Sequence, residues 1–266
     1  EFFIQNNDCI QYPEQNFKVH PYILGVFLGD GVKTATGCLT LSAQTDETPK
    51  KVRKLLEKAL GKSIDLYKNP ANYSYSFCYK GEKMPNGDNK LVHASDLDEE
   101  LSELLTNCYA QDKYIPDAYK YCSEKQRYAL IQGLMDTDGT IGNAPKCTIS
   151  YCTTSETLKN DIIEVIRSLG NVYVSERGVD SRKGNPCYSV TIGCDAKRKA
   201  KLFSISNKVE RAKQAGEVRR NYETLRIIDI QDIDKKYDCT CFTVDADDHQ
   251  FIAGDTVVTH NTFACM

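Results

Sequence analysis

Two segments of this chain are near copies of each other, and that repetition limits what it can fold into. Ile131-Gln-Gly-Leu-Met-Asp-Thr-Asp-Gly139 is apolar at Ile131, Leu134 and Met135, the spacing of one helix face, and it ends in a carboxylate beside a helix-stopping glycine. Ile23-Leu-Gly-Val-Phe-Leu-Gly-Asp-Gly31 has the same plan, with Gly25 where the other has Gly133 and Asp30 where it has Asp138. The residues downstream of each segment match as well. Gly37-Cys-Leu-Thr-Leu-Ser-Ala-Gln-Thr, then Asp46-Glu-Thr-Pro, then a helical run to Gly61, answers to Lys146-Cys-Thr-Ile-Ser-Tyr-Cys-Thr-Thr, then Ser155-Glu-Thr-Leu, then a run to Gly170. Helix, alternating strand, helix start, amphipathic helix and closing glycine recur in one order, an internal duplication. A unit packed on its own copy has pseudo-two-fold symmetry, which suits a target that is nearly two-fold, such as duplex DNA.

Gly25 and Gly133 allow two helix backbones to come close, which would set Asp30 and Asp138 side by side. Carboxylates that near repel unless a divalent cation lies between them. Over roughly residues 21–215 the chain resembles the LAGLIDADG homing endonucleases in their single-chain, two-motif form. The resemblance implies an α+β fold, a duplicated αββαββα body with halves at 21–122 and 123–222. It also implies Mg²⁺ bound by Asp30 and Asp138, one serving each strand of a double-stranded DNA target. Leu28 departs from the pattern, at a position where the family often has a polar or small residue. Lys113-Tyr-Ile-Pro116 resembles the family's Lys-x-Ile-Pro block, whose lysine lies near the metals, and Lys208 is a looser counterpart in the second repeat. The competing expectation is a catalytically decayed LAGLIDADG DNA-binding protein, without cleavage or splicing.

The 266 residues are 41% hydrophobic, enough to bury a sizeable core in more than one domain, but the net charge of −3 gives no whole-chain sign of nucleic-acid binding. Any DNA surface must therefore be local. The candidates are Lys197, Arg198, Lys199 and Lys201, with Arg177, Arg182 and Lys183 flanking a hairpin loop. The alternating strands Tyr73–Tyr79 and Cys187–Ile192 would line the groove. There is no signal peptide and no run apolar enough to cross a membrane. Together with twelve scattered cysteines, read as reduced thiols, this points to a cytoplasmic protein.

The tail holds a second chemistry. Two short apolar strands surround an acidic turn and lead to His260-Asn261-Thr262, with Asp248-His249-Gln-Phe251 upstream. This resembles the C-terminal splicing blocks of inteins, and it implies that residues 1–20 and 223–261 contribute to an all-β, Hint-type module. Asn261 would close its side-chain amide onto its own carbonyl and release residues 262–266, the start of the downstream host segment. His260 and His249 would act as acid or base, and Thr262 would accept the upstream segment. Cys241 either assists Thr262 or, paired with Thr259, is itself a branching nucleophile; both readings stay open. The resemblance also calls for an N-terminal nucleophile and a Thr-x-x-His block, which this sequence does not contain. The expected partner is thus an N-terminal intein fragment with its host segment, as in a split intein. Thr262-Phe-Ala-Cys-Met266 would fit a host interrupted inside a Gly-Lys/Thr phosphate loop.

Overall fold

The computed structural model describes residues 2–177, 186–216, 222–232, 235, 238 and 244–260. Arg182, Lys183, Cys241, Asn261 and Thr262 lie outside them, as does the side chain of Arg177.

The chain opens with strand β1 (Phe2–Gln5) and then enters the first repeat. This contains helix α1 (Pro21–Asp30), β2 (Thr40–Ser42), α2 (Glu47–Leu60), β3 (Ile64–Lys68), β4 (Ser74–Lys83) and β5 (Asn89–Leu91). Short helices α3 (Ser102–Thr106) and α4 (Asp117–Lys120) lead to the second repeat. There α5 (Glu124–Thr137) is followed by β6 (Gly139–Ile141), β7 (Ile149–Thr153), α6 (Glu156–Ser168), β8 (Tyr173–Arg177), β9 (Tyr188–Gly193), α7 (Ala196–Lys201) and α8 (Ser206–Lys213). Strands β10 (Thr224–Ile227), β11 (Gln250–Ala253) and β12 (Val257–His260) complete the described chain.

Local chemistry explains the boundaries. Nδ1 of His20 accepts the Tyr22 N–H and caps α1, while Ser155 Oγ accepts the Leu158 N–H and caps α6. Gly61 ends α2 at φ +63 and Gly170 follows α6 at φ +77, both in the left-handed region open to glycine. Helix α1 is buried from Pro21 through Leu28, so it is a core element rather than an amphipathic surface helix.

The repeats share their sheet topology. The second sheet runs β6-β7-β9-β8 and the first β2-β4-β3, with β5 added beside β4. Gly139 pairs with Tyr151 and Tyr151 with Val190; in the first repeat Gly31 bridges Leu41 and Leu41 pairs with Tyr75. The first half departs from αββαββα in two places: β5 is added, and the opening strand is reduced to that single bridge. The chain turns at Thr34–Gly37, where Gly37 has φ +71, and the Thr34 N–H goes to the Thr106 carbonyl instead of along the sheet.

Strand alternation buries Leu41, Tyr75, Ile149, Tyr151, Val190 and Ile192 and turns the intervening residues outward. The outward rows are rich in hydroxyls: Thr40, Ser76 and Tyr67 across the first sheet, Thr140, Ser150, Thr191 and Ser175 across the second. Of the expected all-β module, the described residues show two two-stranded ribbons, β1 with β10 and β11 with β12, joined by a bridge between Asn6 and Val257. Asn6 Nδ2 donates to the carbonyls of Val172 and Tyr222, and Arg167 pairs with Asp255 at 2.6 Å, so both ribbons dock on the second repeat.

Candidate active site

Helices α1 and α5 touch backbone to backbone. A Cβ on Gly25 would stand 2.2 Å from the Leu130 carbonyl oxygen, and one on Gly133 would stand 2.4 Å from that of Tyr22. Both are well inside van der Waals contact, so these two positions exclude every side chain. Farther along the seam a Cβ on Gly29 would meet Thr137 Oγ1 at 2.0 Å and Asp138 Oδ2 at 3.5 Å. The seam thus carries the Asp138 carboxylate to the last turn of α1, beside Asp30.

The electrostatics agree with that placement. Asp30 is half-buried, and its carboxyl is pushed up to about 6, first by desolvation and then by the negative charge of Asp138. Asp138 is raised too, by desolvation, though it is the more accessible of the pair. Lys113 and Lys208 act in the opposite sense on both carboxylates.

Those lysines are built into the helix ends. Lys113 is buried, and its Nζ donates to the carbonyls of Phe27 (3.2 Å), Leu28 (2.8 Å) and Gly29 (3.2 Å). Lys208 Nζ lies 2.7 Å from the Met135 carbonyl oxygen, 2.9 Å from that of Asp136, 3.2 Å from that of Thr137 and 2.7 Å from that of Gly139. An ammonium has three protons, so both are fully engaged with backbone and act on the carboxylates through their charge. A direct bond to phosphate is not open to them in this arrangement.

Each lysine segment docks on the other repeat. Ser155 Oγ, at the start of α6, donates to the Lys113 carbonyl at 2.6 Å, and Asp161 of α6 accepts the Ile115 N–H. Conversely, Glu47 at the start of α2 accepts the Ser206 N–H and hydroxyl, both at 2.8 Å, at the start of the helix bearing Lys208. Sequence reasoning missed Asp136, buried on α5 where the first repeat has Leu28. It accepts the hydroxyl of Tyr22 at 2.8 Å and the Ser204 N–H at 2.8 Å, holding the approach to α8. The signal was a carboxylate on an otherwise apolar helix.

Tyr151 was also missed. It is the register partner of Gly139, and its hydroxyl is buried with no hydrogen-bond partner among the described residues. Burial raises the pKa of that hydroxyl, and the charges of Asp138 and Asp30 act in the same direction. Among the described residues no three His, Cys, Asp or Glu side chains gather around one point. Two mutually repelling carboxylates, whose charges also reach an unsatisfied buried hydroxyl, nevertheless fit a hard cation. Mg²⁺ is commonly held by one or two carboxylates, with waters and substrate phosphates completing its shell.

The basic cluster expected on DNA lies elsewhere. Lys199 is buried and its Nζ donates to the Lys146 carbonyl at 2.7 Å, so it anchors α7 internally and offers nothing to a phosphate. Arg198 pairs with Asp195. Lys201 stacks over the Tyr128 ring at 5.3 Å, ten residues back along α5 from Asp138. At 1.5 Å per residue that is roughly 15 Å from the carboxylates. Lys197, exposed, is on the same short helix. Arg177 ends β8 at the rim of the second sheet.

In the tail, Gln250 pairs with His260 and Phe251 with Thr259, so His249 and His260 stand at the same end of the β11–β12 hairpin. His249 holds φ +54 and donates its N–H to the Ala246 carbonyl.

Residues 114–218 match the family model described as homing endonuclease, so this segment is homing-endonuclease-like. It spans the second repeat, with Asp138 and Lys208. A protein of Mycobacterium intracellulare named replicative DNA helicase DnaB is 25% identical over 97% of this chain, which spans only 38% of that protein's length. Among solved structures, the N-terminal LAGLIDADG domain of DUF199/WhiA superimposes with a TM-score of 0.43 at 10% identity, covering 74% of this chain and 89% of that one. The homing endonuclease I-WcaI bound to its DNA recognition sequence superimposes with a TM-score of 0.42 at 13% identity, covering 77% and 90%. Among the described residues no helix is long and apolar enough to cross a membrane.

Proposed function

We propose that this chain cleaves double-stranded DNA at a specific site, through a divalent-metal centre at Asp30 and Asp138. The observation that carries the reading is the seam at Gly25 and Gly133, which brings two carboxylates into each other's field at the ends of two core helices. Asp30 and Asp138 would hold Mg²⁺, which supplies Lewis acidity to the scissile phosphate and makes a water a better nucleophile. The protein's own part is to fix both carboxylates, keep them ionised against burial through the charges of Lys113 and Lys208, and present hydroxyl-bearing strands to base edges. Residues 21–222 form the endonuclease body in this reading, with its two halves meeting near 122. Nicking of plasmid DNA with Mg²⁺ tests it. Asp30→Asn and Asp138→Asn should each abolish double-strand breaks; unchanged cleavage in either sinks the metal reading, and absence of cleavage by the wild-type chain leaves a DNA-binding protein.

A second activity is favoured by the hairpin register that sets His249 and His260 at one end of β11–β12. In that reading Asn261 cyclises with help from the two imidazoles, releasing the segment from Thr262 onward, and Thr262 joins it to an upstream segment delivered by an N-terminal intein fragment. The match to a helicase-named protein of which this chain spans only a minor part supports insertion in a larger host. Mass spectrometry of the incubated chain tests the cyclisation. Loss of the residues after Asn261 is expected, and its persistence in Asn261→Ala would refute it.

A further inference from the structure

At the end of α1 and α5 opposite the carboxylates lies a cavity of about 570 Å³. Both repeats build it: Tyr22, Lys51 and Leu55 come from the first, Lys125, Tyr128 and Lys201 from the second. Its size falls within the range of small-molecule sites, roughly 300–1,000 Å³. The floor is apolar, made of Leu55, Ala129 and the two tyrosine rings, and the rim is cationic. A second cavity of about 480 Å³ adjoins it, shares His20, Leu55, Lys125 and Ala129, and adds Lys58.

The rim ammoniums are not matched by carboxylates. Lysines elsewhere, such as Lys50, Lys62, Lys90, Lys120 and Lys159, have carboxylate partners within 4.0 Å. Among the described residues Lys51, Lys58, Lys125 and Lys201 have none, although Glu124 lines the same cavity. Their field converges on one point. The His20 imidazole is held below its ordinary range, first by desolvation and then by Lys51, Lys58 and Lys125. Lys51 is also fixed in place, with Nζ 2.6 Å from Ser204 Oγ and 3.6 Å above the Tyr22 ring, so little side-chain freedom is left to lose on binding.

Several ammoniums without a carboxylate partner among the described residues, around one apolar hollow, call for a ligand with a flat apolar body and clustered negative charge. A nucleic-acid strand spreads its charge along its length, one phosphate every 3.4 Å or so, and a duplex is too broad to enter. A nucleotide, with base and polyphosphate on one small molecule, has the required shape. We infer that this cavity is a nucleotide-binding site, distinct from the carboxylate centre and bridging the two repeats. Charge-assisted bonds from Lys51, Lys125 and Lys201 would hold the phosphates, and the base would lie on Leu55 and Ala129.

Calorimetric titration of the full chain with ADP, in EDTA so that the carboxylate centre holds no cation, tests this. One saturable site is expected, with inorganic triphosphate competing for it. Lys125→Glu and Lys201→Glu should each weaken ADP binding at least tenfold; both side chains are exposed, so an unchanged melting temperature will show that the fold persists. Absence of saturable binding, or wild-type affinity in both variants, overturns the inference. So does displacement of ADP by a 20-base-pair duplex with the same dependence on Lys125 and Lys201, which would make the surface a DNA contact. None of these outcomes depends on Asp30 or Asp138, so the cleavage reading stands or falls separately.

Discussion

Lys113 and Lys208 do the same work on different helices: one donates to the carbonyls of Phe27, Leu28 and Gly29, the other to those of Met135, Asp136 and Thr137. Counted back from Asp30 and Asp138 these are equivalent positions. Both ammoniums are desolvated, which depresses their pKa, and the nearby carboxylates act against that shift. Removing either strands several helix-end carbonyls. Lys113→Met and Lys208→Met should therefore each cost about 1–3 kcal/mol in urea denaturation. A much smaller loss for one would show that the two lysines are not equivalent.

Asp30 gives a pH signature. Its folded pKa of about 6 exceeds the ordinary 3.8, so the native state prefers the protonated form. The stability linked to that proton is fully present below about 3.8 and lost as pH rises through 6. In EDTA, Asp30→Asn should melt above wild type at about pH 8, and the gap should close by about pH 4. An equal gap at both values would mean that Asp30 is not destabilised by its surroundings.

At the helix seam, Gly25→Ala and Gly133→Ala each drive a methyl into backbone carbonyl oxygen. The neighbours cannot rotate away as a flexible side chain could. Overpacking of this kind typically costs about 1–3 kcal/mol, occasionally more. Denaturant midpoints should fall accordingly, and cleavage should drop more than stability does as the carboxylates are forced apart. Wild-type midpoints in both variants would refute the close approach.

Tyr151 carries a buried hydroxyl without a partner among the described residues, a defect worth about 1–3 kcal/mol. In EDTA, Tyr151→Phe should be more stable than wild type by about 1 kcal/mol, the low end of that cost. A destabilised variant would mean that the hydroxyl is satisfied by bound water.

Much of this arrangement was readable in the residues, and the parts that were not share a cause. The helix pair could be inferred because Gly25 and Gly133 stand at matching places in two copies, and a small residue on an apolar face has few other uses. Lys208 was harder, since the residues around it do not repeat those around Lys113; only the folded chain shows both ammoniums on equivalent carbonyls. The run 197–201 misled because charge density does not tell which way a helix faces. A helical turn points Lys199 inward while Lys197 and Lys201 look out, and the Lys201 ammonium sits over Tyr128 instead of at the carboxylates. Tyr151 left no signal, because its position depends on strand register with Gly139.

The reciprocal docking of Ser155 on the Lys113 backbone and of Glu47 on Ser206 makes the duplication a lock rather than a simple pairing. Each copy carries the bolt that closes its sister, so neither can be excised as a working unit. Drift in one copy must be answered in the other, which ties the evolutionary fates of the two repeats.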